Sequence, residues 1–348
     1  MALSPIDLVM QRRDLATAID AALWLCERLG IDPASLGYTC KRPKGAQPTA
    51  VAGDDDELVD IRVWDAADVL SQPIPPRQWI LGNIFCKQFI SSLVGGGAVG
   101  KTAARLVQAL SVATGRSLTG EYVHKRCRVL FLTFEDGRTE LMRRVLAAML
   151  HHSVSALEVH DWLLFANVSG HRLIETNGRG NRVPGTLEGW LRQRIKQLGV
   201  ELVILDPFIK THGVEENDNT GIDSVCVLLA RLAIELDIAV DYLHHVRKGP
   251  PDPGNADTGR GASAAKDTAR LVYTLNGMTE EEAQLFNLKN ETLRRSLVRQ
   301  DSAKLNIAPP AVDTVWFRLV GVPLNNGTPA YPHGDVVQTV ERWSPPDF

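Results

Sequence analysis

The sequence predicts an α/β fold in which a doubly wound, mostly parallel sheet is flanked by helices on both faces. Strand and helix patterns alternate through the middle of the 348-residue chain. The strands are short apolar runs, such as VLFLTF and LVILD, and polar turns separate them from the helices. Strands that are apolar throughout are typical of parallel sheets that are buried on both faces.

The chain begins with a helical pattern and then changes composition. Residues 15–30 place apolar side chains at helical spacing and end on Gly30, which suits a helix C-terminus. Residues 38–76 are rich in Lys, Pro, Gly and acids, which is typical of a linker. We therefore predict an N-terminal helical and irregular accessory region with its linker (1–76), a principal domain (77–320) and a C-terminal tail (321–348).

The principal domain is predicted to alternate strands with helices. Strands are expected near 87–94, 128–134, 162–168, 200–205 and 238–244, and helices near 101–114, 139–150, 186–198 and 221–236. Beyond residue 268, three segments are predicted as further strands added antiparallel to one edge of the sheet: ARLVYTL, LFNLKN and TVWFRLV.

Bulk composition limits the classes of partner. The formal charge of −3 gives no overall attraction to nucleic acid, so such contact would need a local cluster of Lys and Arg. Five scattered cysteines without a C-x-x-C pair favour a reducing, cytoplasmic setting. No secretory signal and no window near 18 uninterrupted apolar residues is visible, so we expect a soluble protein without a membrane partner.

One glycine-rich segment fits the pattern G-x-x-x-x-G-K-[ST] between a strand-like and a helix-like run. Its glycines let the backbone curl so that N–H groups point at phosphates, and the helix N-terminus adds a favourable dipole. A helix-capping glycine turn is the alternative. The predicted nucleotide-binding residues are Gly95, Gly96, Gly97, Ala98, Val99, Gly100, Lys101, Thr102 and Ala103, with Lys101 on the β- and γ-phosphates and the Thr102 hydroxyl on Mg²⁺.

Two further strands end in acids. Asp206 follows the apolar run VIL and is the candidate for holding Mg²⁺. An Asp before Pro207 also suits a simple turn, which is the alternative. Glu135 and Asp136 follow VLFLTF, and parallel topology would bring them to the same edge. We expect Glu135 to be the general base with Asp136 in support; two solvated acids at a helix start are the alternative.

A fourth strand ends in two histidines. Neighbouring side chains on a strand face opposite ways, so only one of His244 and His245 can face the nucleotide. We choose His245 as a sensor of the γ-phosphate, and a structural histidine is the alternative. A metal site is disfavoured because no third ligand stands at fixed spacing nearby.

These motifs together carry a resemblance to a known family. GGGAVGKT, FLTFED, LVILDPF with HGVEENDN, YLHHVRKG and GRGASAAKDTARLVYTL occur in that order, and together they resemble the RepA-type hexameric replicative helicases and the wider RecA-like ATPases near DnaB. The resemblance covers roughly residues 77–295 and implies a RecA-like fold. It also implies a homo-hexameric ring with ATP and Mg²⁺ between subunits.

The same resemblance implies catalytic roles, with Lys101 on phosphate, Glu135 as base and His245 as sensor. Arg270, in AKDTARLVY, takes the position of an arginine finger that crosses to the neighbouring subunit, where Lys289 would assist it. A cation delivered in trans stabilises the charge of the transferring phosphoryl group. Arg260 is the alternative candidate for the arginine finger. For Arg270 itself, the alternative is a surface arginine without a catalytic role.

The resemblance also implies single-stranded DNA as partner. Segments 207–220 and 247–263 follow active strand ends, where RecA-like proteins place DNA-binding loops; a mobile solvent loop is the alternative. The leading interpretation is a DNA helicase that couples ATP hydrolysis to translocation. A nucleotide-switched regulator or loader is the alternative, and a small-molecule kinase is disfavoured because no arginine-rich lid is visible. The candidate phosphate contacts are Lys210, Arg247, Lys248 and Arg260.

Overall fold

The computed structural model describes residues 18–29, 31, 35, 65–71, 73–177, 181–215, 218–245, 253–255, 267–309 and 314–345. The chain divides into two compact units, Met1–Pro73 and Ile74–Phe348. The described part of the first unit holds helix α1 (Ala18–Leu29) and the short helix α2 (Asp68–Ser71). Helix α1 lies within the predicted helix, and it buries Ala21 and Cys26.

The second unit contains the remaining described helices and strands. Its strands are β1 (Trp79–Leu81), β2 (Phe85–Cys86), β3 (Ile90–Gly95), β4 (Arg128–Thr133), β5 (Leu163–Asn167), β6 (Ile174–Thr176), β7 (Arg182–Pro184), β8 (Val200–Asp206), β9 (Ala239–His245), β10 (Leu271–Gly277), β11 (Leu297–Leu305), β12 (Val315–Pro323) and β13 (Val336–Trp343). Its helices are α3 (Lys101–Thr114), α4 (Arg138–His151), α5 (Ala156–Val159), α6 (Thr186–Leu198), α7 (Asn219–Glu235), α8 (Glu280–Leu285) and α9 (Glu291–Ser296).

Nine strands form the central sheet in the order β13-β12-β11-β10-β3-β9-β8-β4-β5. The six strands from β10 to β5 are parallel, and β11, β12 and β13 continue antiparallel beyond β10. The predicted doubly wound, mostly parallel sheet is therefore confirmed. Because all six parallel strands run the same way, their carboxyl ends share one edge, which we call the carboxyl edge.

Helices cover both faces of the sheet, as apolar parallel strands require. One core packs α3 and α4 against the sheet and includes Leu106, Leu110 and Phe131. The other packs α6 and α7 against the opposite face and includes Leu191 and Leu229. The alternation of strand and helix in the sequence thus becomes two buried layers that hold the carboxyl edge in place.

The predictions beyond residue 268 were only partly right. ARLVYTL forms β10, but it pairs parallel with β3 rather than antiparallel. LFNLKN is not a strand; it contains the end of α8 and a turn. TVWFRLV contains most of β12, an antiparallel addition as expected.

A segment near the end of the chain also adds a strand to the sheet. Strand β13 lies within the segment that we predicted as a C-terminal tail, yet it pairs with β12 along its length. Val340 is fully buried there, and His152, the residue that follows α4, lies 2.8 Å (Nε2) from the Val340 carbonyl oxygen. This part of the expected tail is therefore a strand of the sheet, and it packs against α4.

Among the described helices, none is both long and apolar enough to cross a bilayer.

Candidate active site

The strand register gathers the predicted residues at the carboxyl edge. Gly95, the last residue of β3, pairs with His245 on β9 and with Leu275 on β10. Two strands away, Thr133 at the end of β4 pairs with Asp206 at the end of β8. The glycine-rich loop, the histidine and both acidic strand ends therefore project from adjacent positions on one edge.

The loop between β3 and α3 can only be built with glycine at two of its positions. A methyl carbon on Gly95 would lie 2.6 Å from the Leu275 carbonyl oxygen, so the backbones approach too closely for a side chain. Gly100 has φ +94°, and a methyl carbon there would lie 2.6 Å from Leu319 Cδ2 on β12. Gly100 also precedes α3 without a side-chain cap, so the first N–H groups of that helix remain available to an anion.

Lys101 is drawn back onto this loop. Its Nζ donates to the carbonyl oxygens of Gly95 (2.8 Å) and Gly96 (2.6 Å), and it lies 3.3 Å from His245 Nδ1. Burial lowers the pKa of Lys101 to about 8, and the negative charge of Asp206 opposes that shift. The ammonium group is thus buried in a pocket of neutral acceptors, where a polyphosphate would stabilise its charge.

Thr102 and Asp206 lie next to each other behind the loop. The Thr102 hydroxyl donates a 2.7 Å hydrogen bond to Asp206 Oδ2. Burial raises the pKa of Asp206 to about 6, while Thr102 and Lys101 lower it and the two acids after β4 raise it further. A hydroxyl and a carboxylate are hard oxygen donors of the type that Mg²⁺ prefers.

The two acids after β4 differ in their surroundings. Asp136 forms an ion pair with Arg144 on α4 (Oδ2–Nε 3.0 Å), and its backbone N–H donates to Thr133 Oγ1. Glu135 is exposed, and the chain leaving β4 is held beside β8 by a bond from Phe134 N to the Asp206 carbonyl oxygen (2.9 Å). Glu135 therefore has the freedom to reach a water molecule that Asp136 lacks.

A buried ion pair that the sequence analysis did not single out connects the loop helix to the histidine strand. Arg105, one turn after Lys101 on α3, donates to both carboxylate oxygens of Asp241 on β9 (2.9 and 3.1 Å). Both side chains are fully buried, and Ser91 on β3 donates to Asp241 at 2.6 Å. The sequence signal was an acid inside the apolar strand AVDYLHH, because a buried carboxylate needs a partner.

Arg270 lies at the other end of the sheet. It directly precedes β10, and its backbone N–H donates to the Ile90 carbonyl oxygen at the start of β3 (3.0 Å). Strand β3 has six residues, so at about 3.3 Å per residue Arg270 lies roughly 15–20 Å from the loop of its own subunit. Lys289 follows the opposite end of β10, and its assistance to Arg270 stays a prediction.

The predicted DNA-contacting residues are only partly described. Lys210 is exposed and lines an open cavity of about 330 Å³ together with Arg172 and the buried His212. Arg247, Lys248 and the competing finger Arg260 lie outside the described residues.

Comparison with known proteins identifies the family. A family model described as "AAA domain" matches residues 55–251, which is more than half of the chain. The chain belongs to the AAA domain family. This AAA domain is a P-loop ATPase, as the motifs predicted.

One solved structure is also similar to this AAA domain. It is described as "The Structure Of A DnaB-Like Replicative Helicase And Its Interactions With Primase". The identity is 16% and the TM-score 0.48, and the match covers 67% of this chain and 56% of that chain. This chain thus spans little more than half the length of the helicase chain that it matches.

The donor set of this AAA domain fits ATP with Mg²⁺. The glycine loop and Lys101 suit phosphates, and Thr102 with Asp206 supplies oxygen ligands. Within the described ranges, no group of three or more His, Cys, Asp or Glu forms a metal cage of its own. Mg²⁺ is usually held by one or two carboxylates together with substrate phosphates and water, so one carboxylate and one hydroxyl suit it.

Proposed function

We propose that this AAA domain is an ATP-hydrolysing RecA-like motor, a hexameric DNA helicase that couples ATP hydrolysis to translocation on single-stranded DNA. The observation that carries the hydrolysis part is the cluster at the carboxyl edge. Lys101 Nζ lies 3.3 Å from His245 Nδ1, and Thr102 is hydrogen-bonded to Asp206 next to it. The glycine loop, the carboxylate of Asp206 and the imidazole of His245 thus surround one position.

Each residue of the cluster has a role in this proposal. Lys101 exchanges its two carbonyl acceptors for the β- and γ-phosphates and neutralises charge there. Glu135 orients the attacking water and accepts its proton. His245 accepts a hydrogen bond from Lys101 when phosphate is absent, and it loses this partner when the γ-phosphate attracts Lys101. Thr102 and Asp206 would hold Mg²⁺, which when bound neutralises charge that develops on the phosphates.

The position of Arg270 supports an oligomer. A cation that stabilises the transferring phosphoryl group must lie within a few ångströms of it, and Arg270 starts a strand whose far end meets the loop. Its side chain is exposed at the opposite edge of the sheet. Arg270 can therefore serve as a finger only for another subunit, as a ring with ATP between subunits requires.

DNA as the substrate is supported by the resemblance of the ordered motifs and by the residues after β8. Lys210 and Arg172 are both exposed and line one cavity, and the described structure shows no ion pair for either. Glu215 lines the same cavity, so its local charge is one unit positive when His212 is neutral. Burial lowers the pKa of His212 to about 4, which keeps it neutral near pH 7. Phosphates of a single strand would find two cations there.

The hydrolysis proposal predicts that Lys101→Ala abolishes ATP turnover. Lys101 is the buried cation at the cluster, and a P-loop without it loses phosphate contacts that no neighbour replaces. Phosphate release should fall by about 100-fold or more. Lys196→Ala, at an exposed position on α6, is the matched control and should turn over ATP as the unchanged chain does. Equal rates in the two variants would refute the assignment.

The helicase part is tested by unwinding. A forked DNA duplex with one labelled strand is mixed with the chain and ATP, and the oligomer is sized under the same conditions. Strand separation by a six-subunit species supports the helicase. DNA-stimulated phosphate release without separation identifies a regulator or loader instead, and transfer of phosphate to a small acceptor identifies a kinase.

A further inference from the structure

The segment that carries Glu135 is short, and its backbone decides where the side chain can reach. Residues 134–137 join the end of β4 to the start of α4, and we call them the base segment. The Glu135 side chain is exposed, and it forms no hydrogen bond or ion pair with the described part of the chain. A carboxylate that is not held by its own contacts can meet one particular water molecule only if the backbone beneath it is held.

The peptide groups on both sides of Glu135 are hydrogen-bonded to side chains. Before it, the Phe134 carbonyl oxygen accepts a 2.8 Å hydrogen bond from Ser169 Oγ. After it, the Asp136 N–H donates to Thr133 Oγ1 over 3.1 Å. The two peptide planes that meet at the Glu135 Cα atom therefore both have fixed partners.

Asn167 extends this hold by one more peptide group. Its Nδ2 donates to the Asp136 carbonyl oxygen at 2.7 Å, and its Oδ1 accepts from the Ser169 backbone N–H at 3.1 Å. Asn167 is the last residue of β5 and pairs with Thr133 at the end of β4. One amide group thus links the end of β5 to the base segment. We call Asn167 and Ser169 the β5 pair.

The base segment is held from its other side as well. The Phe134 N–H donates to the Asp206 carbonyl oxygen at the end of β8 (2.9 Å), and Asp206 Oδ2 accepts from Thr102. In the sheet, β4 lies between β8 and β5. The base segment therefore has hydrogen bonds to the strand that carries the candidate Mg²⁺ ligand and to the strand that carries the β5 pair.

The side chains of the β5 pair are not part of the core. Both are exposed, whereas Val168 between them is buried and donates its N–H to the Thr133 carbonyl oxygen (2.9 Å). Val168 therefore continues the pairing of β5 with β4 without help from its neighbours' side chains. Removing an exposed side chain leaves no buried polar group without a partner, so the fold should tolerate the loss of either residue.

We propose that Asn167 and Ser169 are positioning residues for hydrolysis, which hold the base segment so that the Glu135 carboxylate meets the attacking water. The inference rests on the proposed function, because it needs Glu135 as the general base. Neither residue touches the nucleotide; each acts through the backbone next to Glu135. Displacing a reacting group by about 1 Å can cost roughly 100-fold in rate, so such contacts set kcat.

The test measures turnover and affinity separately on the full chain. Phosphate release at saturating ATP gives kcat, and calorimetry with ADP and Mg²⁺ gives the nucleotide affinity. Ser169→Ala and Asn167→Ala should each lower kcat by about tenfold and leave the ADP affinity within about twofold of that of the unchanged chain. Ser169→Thr keeps a hydroxyl donor and should restore kcat to within about twofold.

A second background shows whether the β5 pair acts through Glu135. Glu135→Gln removes the base and should lower kcat by about 100-fold or more. In that background, Asn167→Ala should change the remaining rate by less than about twofold, because no base is left to position. A residue that acted on the phosphates or on the fold would lower the remaining rate again.

Ser155→Ala is the matched control. Ser155 is exposed, and its hydroxyl donates to Glu158 Oε2 (2.9 Å) at the short helix that precedes β5, so it lies towards the end of that strand opposite the carboxyl edge. The variant loses an exposed side-chain hydrogen bond, as Ser169→Ala does. Its kcat should equal that of the unchanged chain.

The outcomes separate the two proposals. Normal kcat in Asn167→Ala and Ser169→Ala would overturn the positioning role and leave Glu135 as the base. The same fold-loss from Asn167→Ala with and without the Glu135 carboxylate would also overturn it, because the residue would then act elsewhere. If Glu135→Gln hydrolysed ATP as fast as the unchanged chain, the base assignment in the proposed function would fail, and the positioning role with it.

Discussion

Lys101 occupies a position that suits its charge poorly until an anion arrives. Its Nζ donates to two loop carbonyls, and burial lowers its pKa to about 8. Two carbonyl dipoles compensate an ammonium group less well than water does. A bound polyphosphate would bring negative charge directly beside Nζ, which raises the pKa again. Proton uptake is therefore coupled to nucleotide binding at this residue.

This coupling predicts proton uptake when ADP binds at pH 8. There, about half of the Lys101 side chains are unprotonated in the free protein, and binding should take up roughly 0.5 proton per site; at pH 7 the uptake from Lys101 should be only about 0.1. Calorimetry in two buffers of different ionisation enthalpy measures it. Lys101→Arg is the control, since a guanidinium group stays charged. The same uptake in that variant would show that another group is responsible.

At the residue scale, the sequence predicted the members of the cluster but not their state. The pattern G-x-x-x-x-G-K-[ST] and the acids at strand ends follow from local constraints on phosphate and metal binding, and the register does place those strand ends together. The sequence could not show that the Lys101 side chain folds back onto Gly95 and Gly96, because that conformation depends on burial by the surrounding chain. The functional roles of these residues stay predictions.

At the scale of elements, the sheet was predictable where local pattern and tertiary context agree. The helices 101–114 and 186–198 were predicted with the bounds that α3 and α6 have, because apolar spacing and flanking glycines act locally. Strand β13 was missed because VVQTVERW has neither a continuous apolar run nor a strict alternation of apolar and polar residues, and it becomes a strand by pairing with β12. LFNLKN was misjudged because Phe286 packs against Trp316 and Trp343 from a turn, not from a strand.

The position of α3 relative to β9 depends on one buried ion pair. Arg105 and Asp241 are fully buried and joined by two hydrogen bonds, and Ser91 gives the carboxylate a third. Burial raises the pKa of Asp241, while Arg105 and Ser91 oppose that shift. Lys101 precedes Arg105 by one helical turn and His245 ends the strand that carries Asp241. The pair therefore fixes the separation between the loop lysine and the histidine.

Removing one partner of this pair should destabilise the second unit strongly. Arg105→Met keeps much of the side-chain volume but leaves a buried carboxylate without its cation, which should lower the free energy of unfolding by about 3–5 kcal/mol. The double variant Arg105→Met/Asp241→Leu removes both charges and should recover most of that loss. Denaturant unfolding followed by circular dichroism measures both. A loss below about 1 kcal/mol in the single variant would contradict the structural role.

At the scale of the whole molecule, the candidate catalytic residues lie at two opposite ends of β3. The carboxyl edge carries the loop, the acids and the histidine, whereas Arg270 lies at the amino end of β10. A single subunit cannot bring Arg270 to its own phosphate loop without breaking the pairing of β10 with β3. If Arg270 takes part in hydrolysis, the site is complete only when a second copy supplies it.

Mixing two inactive variants tests this division. Lys101→Ala keeps Arg270 but lacks a working loop, and Arg270→Ala keeps the loop but lacks the finger, so each alone should hydrolyse ATP very slowly. In mixed rings, the loop of an Arg270→Ala subunit can meet the finger of a Lys101→Ala subunit, and phosphate release should rise to roughly a quarter of the unmutated rate when random assembly places the two side by side in one orientation. A mixture of Lys101→Ala with the double variant Lys101→Ala/Arg270→Ala contains no working loop and is the control. If the first mixture stayed as inactive as its components while sizing showed mixed oligomers, Arg270 would act within its own subunit or only on the fold. Recovery in the mixture has no explanation in a monomer, because it requires that one active site be assembled from the carboxyl edge of one chain and the amino edge of another.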